Sequence, residues 1–105
     1  MTQAILARNN REFVFKWLMF EVLAYSNGSG ARMVDNRGIL MSEREAMELI
    51  GSSRQCLREV KMLLTWDGVL VCRHGKPTMV NKITREDYEL CLQKFDDCFG
   101  YGQLV

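Results

Sequence analysis

The 105-residue chain has one proline (Pro77), one histidine (His74) and almost no net charge, +1 at neutral pH. A lone histidine leaves no serine or cysteine nucleophile with a recognisable base and orienting acid, so triad hydrolysis finds no support. Asn27 to Gly30, "NGSG", is a turn signal without the strand-to-helix context of a phosphate-cradling loop. The four cysteines are poorly spaced for a structural metal: Cys72 and His74 flank one residue, Cys91 and Cys98 stand far apart, and Cys56 is alone. The start "MTQAILARNNRE" lacks a cationic segment followed by an apolar run and a cleavage site, so buried, reduced thiols in a cytoplasmic protein are expected. The longest apolar stretch, Phe13 to Tyr25, is broken by Lys16 and Glu21 and is shorter than the roughly 20 residues of a membrane helix. No catalytic residue, cofactor, metal or membrane span is therefore expected.

What is present reads as one globular domain over 1–105, 48% apolar and 26% charged. The charge is uneven: residues 32–82 carry nine Lys and Arg against six Asp and Glu, whereas residues 83–105 carry two against five. The positive excess lies in the middle.

Residues 10–25 contain no Gly or Pro and are apolar around most of a helical circumference, which predicts a first helix buried on more than one side. Either it is a central core helix or part of it lies in a dimer interface. Residues 26–38, with three glycines, form a polar loop, and "GILM" (38–41) could make a short extended piece. Ser42 and Glu45 have capping-box spacing at the start of "EREAMELI", and Gly51 is a terminator. Ser52 or Ser53 caps "RQCLREVKMLLTWDG", with Leu57, Val60, Met62, Leu63 and Leu64 as its core stripe. Residues 42–67 are thus a helix-turn-helix candidate. Residues 69–83, "VLVCR" and "PTMVNKI" joined through "HGK", read as a β-hairpin wing. Thr84 caps a last helix over 84–99 whose apolar stripe is Tyr88, Cys91, Leu92, Phe95, Cys98 and Phe99. The expected fold class is α+β: a winged helix-turn-helix, a three-helix core plus hairpin, with an extra carboxy-terminal helix.

The stretch "SEREAMELIGSSRQCLREVKMLLTWDGVLVCRHGKPTMV" resembles the DNA-binding domain of GntR-family transcription regulators, especially their fatty-acid-responsive branch. The likeness rests on the acidic-Arg-Glu start at Glu43 to Glu45, Gly51 ahead of Ser53-Arg54, Leu57-Arg58-Glu59, Gly68 before the wing, and Gly75-x-x-Thr78-x-Val80. It runs without a gap from about Leu40 to Ile83. Family members usually add a carboxy-terminal ligand-binding and dimerising domain. This chain ends soon after the wing, and no small-molecule ligand is evident.

The resemblance implies double-stranded DNA as the partner, with the second helix of the pair in the major groove and the wing tip along the minor groove. Arg44 and Arg54 would read bases, since Arg suits a bidentate hold on guanine, and Gln55 would tune the choice. Ser53 and Arg58 would hold phosphates at a helix amino terminus. His74, Gly75 and Lys76 would form the tip, Gly75 giving the turn and the cations suiting a narrow groove. Lys61 and Arg73 could add phosphate contacts, whereas Glu59 reads as structural. Cys56 stands where the family often has a hydroxylated residue. One helix and one wing contact few base pairs, so a homodimer through the first helix, the carboxy-terminal helix or both is expected. The expectation is thus a cytoplasmic, nucleoid-associated transcription regulator. The alternative is a protein-interaction or antagonist module that keeps the winged helix and regulates another DNA-binding protein.

Overall fold

The computed structural model describes residues 3–99, with side chains described for residues 11–97. Four helices and one hairpin follow in the order α1 (Gln3–Ser26), α2 (Glu43–Ile50), α3 (Arg54–Trp66), β1 (Leu70–Val71), β2 (Met79–Val80) and α4 (Arg85–Phe99). This is the α+β winged helix. α1 begins well before residue 10, because no Gly or Pro interrupts the chain there.

α1 is the central helix. Val14, Phe15, Leu18, Met19 and Val22 are buried on a wide stripe, packed with Leu57, Val60 and Leu64 of α3 and Cys91 and Phe95 of α4 in one cluster. Phe15 stacks on Phe95 with ring centroids 4.3 Å apart. The opposite face of α1 is open: Phe13 is 51% exposed and Phe20 61%. On α4 the expected stripe is buried at Cys91 and Phe95 and half-buried at Tyr88 and Leu92; the side chains of Cys98 and Phe99 lie outside those described. Met62 departs from the predicted core stripe. It is 47% exposed, because it sits about 200° around the helix from Val60. Among the described cysteines only Cys91 is buried; Cys56 is half-buried and Cys72 exposed, and all three are free thiols.

The caps follow the sequence closely. Ser42 Oγ accepts from the Glu45 amide at 3.2 Å, and its hydroxyl donates to Glu45 Oε1 at 2.8 Å. The returning bond thus ends on the hydroxyl and not on the Ser42 amide. Gly51 closes α2 in the left-handed region (φ 77°), and Ser53, not Ser52, caps α3, accepting from Cys56 N at 3.1 Å. Thr84 caps α4: its Oγ1 accepts from the Asp87 amide and its own amide donates to Asp87 Oδ2, both at 3.1 Å.

The loop between α1 and α2 is less polar in place than in sequence. Met33 and Val34 are buried, and isolated antiparallel bridges pair Val34 with Leu40 and Ile39 with Met79. Leu40 N donates to Thr78 O and Val80 N to Gly38 O, so the "GILM" piece forms an outer strand beside β2. Glu21, only 5% exposed, fastens the loop: its Oε1 accepts from Arg32 N and Met33 N, both at 2.7 Å. Gly38 has φ 81°, and a Cβ there would lie 2.7 Å from Tyr25 Oη.

Candidate nucleic-acid interface

α2 and α3 meet across the Gly51–Ser53 turn, which sets the first turn of α2 beside the amino-terminal half of α3. Ser53 Oγ is occupied as an acceptor by its cap, but its hydroxyl proton remains able to donate. Arg54 and Gln55 open the helix, where the first amides lack intrahelical partners. Arg44 extends from the first turn of α2 into solvent, 3.7 Å from Glu48, a helical-spacing pair of small energetic weight. Gln55 Nε2 approaches Glu59 Oε1 at 3.4 Å, and Glu59 is held by Arg11 at 2.7 Å, in line with the structural role read from sequence.

The residue that sequence reasoning passed over is Glu43. One carboxylate joins two of the three cations of α3: Arg58 Nε and Nη2 donate to it at 2.8 and 3.0 Å, and Arg54 Nε lies 3.2 Å from Oε1 as an ion pair. The Arg58 hydrogen bonds and charge hold Glu43 below the ordinary carboxylate range against its partial desolvation, and Glu43 in turn raises Arg58. An acidic residue directly ahead of Arg44 was the available signal. The spacing alone does not reveal that it reaches a helix 15 residues on.

The wing closes the other side. β1 and β2 pair antiparallel with Leu70 opposite Val80 and Val71 opposite Met79. The ladder is shorter than the two β-rich runs, because Pro77 offers no amide and Arg73 to Lys76 turn at the tip, with Lys76 N bonded to Arg73 O. Gly75 adopts φ 72°, and His74, Gly75 and Lys76 are all exposed. A recess of about 460 Å³ separates wing from helices; Glu43, Lys61, Lys76 and Pro77 are among the residues that line it. Lys61 of α3 and Lys76 of the wing thus line one groove, whereas Arg58 borders a neighbouring recess with Lys61, and Arg44, Arg54, Arg73 and His74 are not among the residues lining the groove. Below it Met62 and Trp66 are exposed on α3, Trp66 by 72%, next to Arg58 and Cys72. Among the described residues no group of three or more His, Cys, Asp or Glu is placed to hold a metal ion, and no helix is long and apolar enough to cross a membrane.

Part of this sequence is similar to known proteins. The "Fatty acid metabolism regulator protein" of Edwardsiella ictaluri is 60% identical over 43 residues, and that of Erwinia tasmaniensis 58% over 43 residues. The protein of that name from Vibrio cholerae is 57% identical over 44 residues. The chain carries a fatty-acid-metabolism-regulator-like segment. It amounts to 41–42% of this chain, the length of the Leu40–Ile83 stretch that holds α2, α3 and the wing. The chain spans only 16–18% of the length of these relatives. No family model matches the chain, and no solved structure matches it. All the predicted contact residues, and Glu43 with them, lie between Leu40 and Ile83.

Proposed function

We propose that the chain is a sequence-specific, double-stranded DNA-binding transcription regulator that uses α3 in the major groove and the tip of the wing in the minor groove. The observation that carries this reading is the run of cations along α3: Arg54 and Arg58 are exposed beside Glu43, and Lys61, one turn further, lines one groove with the wing's Lys76. A 43-residue part of the chain is 60% identical to a protein named as a fatty acid metabolism regulator. Helix amides, guanidinium groups and a cationic wing are the donors that phosphates and guanine edges need. Arg44 and Arg54 read bases, Gln55 adjusts the choice, and Ser53, Arg58, Lys61 and Arg73 contribute to the backbone hold, with His74, Gly75 and Lys76 at the minor groove.

A homodimer completes the reading. Phe13, Trp17 and Phe20 follow one another at i, i+4 and i+7 on the open face of α1, and Phe13 and Trp17 pack edge to face at 5.3 Å. Two copies would bring two recognition helices to a two-fold symmetric site.

The test begins with selection of bound sequences from a random duplex pool, followed by titration of the selected site at several salt concentrations. The expected result is a selected site with two half-sites and a steep salt slope. Replacing both Arg44 and Arg54 with Ala should weaken binding at least about tenfold per arginine lost from a base. A double variant that protects its site like the wild type would refute the base-reading assignment. Exposed Met62 and Trp66 favour the second reading, a winged helix that contacts another protein; absence of salt-dependent duplex binding would make it the better one.

A further inference from the structure

Arginine presents two usable edges, and Glu43 decides which one faces outward. It accepts hydrogen bonds from Nε and Nη2 of Arg58 and draws the Nε side of Arg54 to 3.2 Å as an ion pair. What remains free on Arg54 is the terminal Nη1–Nη2 edge, and on Arg58 Nη1 with the second Nη2 proton. The clamp spans two helices, so it fixes both guanidiniums relative to the helix-turn-helix and not merely along one helix. Lys61 adds a third charge near the same carboxylate.

We infer that Glu43 is the positioning residue of the DNA-reading face: it sets the edge and direction of Arg54 and Arg58 before DNA arrives and so determines sequence discrimination. This rests on the DNA-binding reading above. The physical argument turns on a conflict of signs. A carboxylate beside phosphates opposes binding by simple charge, and removing it strengthens attraction to any duplex. A held Arg54, by contrast, loses less conformational freedom on reaching guanine, and a held Arg58 fixes the phosphate register that brings it there, gains realised together only at the correct base. A residue that costs general affinity and supplies specific affinity acts on the ratio of the two.

The experiment compares wild type, Glu43→Gln and Glu43→Ala on the selected site and on an unrelated duplex at one salt concentration. The substitutions are expected to tighten binding to the unrelated duplex and to lower the specific-to-unrelated ratio about tenfold or more. A variant that binds both duplexes more tightly with the ratio unchanged would show that Glu43 is only an unfavourable charge, and would overturn the inference. A second measurement separates positioning from a structural role. In an Arg54→Ala, Arg58→Ala background, Glu43→Gln should leave the ratio where it is, because the groups through which it acts are gone. A further fall in that background would also overturn the inference. Wild-type protein with no preference for any sequence would fail the DNA-binding reading itself, an outcome distinct from both.

Discussion

Glu21→Ala should be among the most destabilising single changes outside the apolar core. One buried oxygen accepts two backbone amides, Arg32 N and Met33 N, at 2.7 Å each. Hydrogen bonds to a charged group contribute about 1.5–3 kcal/mol apiece, and alanine leaves both donors without their acceptor. Removing a buried carboxylate also removes its own desolvation cost, which offsets part of the loss. The expected net is about 2–4 kcal/mol, a large share of the roughly 5–15 kcal/mol of a typical domain. Glu21→Gln keeps a neutral acceptor at the same place, and since charge-assisted bonds are about twice as strong as neutral ones, it should cost about 1–2 kcal/mol. Urea unfolding followed by far-ultraviolet circular dichroism measures both. The loop that Glu21 fastens carries the outer strand against the wing, so the Leu40 and Val80 amides, bonded to Thr78 O and Gly38 O, should exchange faster in both variants. An alanine variant within about 1 kcal/mol of wild type, or a glutamine variant as unstable as alanine, would refute the reasoning.

Gly38→Ala should cost at least about 1–2 kcal/mol from its left-handed backbone alone, and more because the new Cβ meets Tyr25 Oη. Tyr25→Phe in the same chain should return part of that loss; thermal melts equal to wild type would contradict the assignment. The clamp at Glu43 gives a pH prediction. A carboxyl whose folded pKa is lowered contributes stability that is fully present above its ordinary value of 4.5 and is lost as pH falls through the lower folded value. Its stabilisation should thus be constant from pH 7 to 5 and disappear only at more acidic pH. The Glu43 carboxyl carbon should titrate below 4.5 by nuclear magnetic resonance and move back toward it in Arg58→Ala; an inflection at or above 4.5 in the wild type would contradict the pairing.

The sequence by itself determined the helix-turn-helix and the wing, because their signals are local. A serine or threonine cap, a glycine in the left-handed region and a helical or alternating period act within a few residues of chain, and Ser42, Gly51 and Thr84 sit where those rules put them, while the structure chose Ser53 over Ser52. It also placed Arg54, Arg58 and the wing cations on candidate surfaces, since charged residues at a helix start and a hairpin tip have few places to hide. Tertiary structure alone decided which cations have partners. Glu43 meets Arg58 only because the α2–α3 turn folds one helix onto the next, and Glu21 reaches Arg32 and Met33 only because the loop doubles back over α1. Met62, read from the sequence as part of the core stripe of α3, is turned outward by the helical rotation itself, about 200° from Val60. Charge, cap and period are properties of neighbouring residues. The pairing of a buried carboxylate with a distant amide, or of one acid with two arginines, is a property of packing, and no spacing in the chain encodes it.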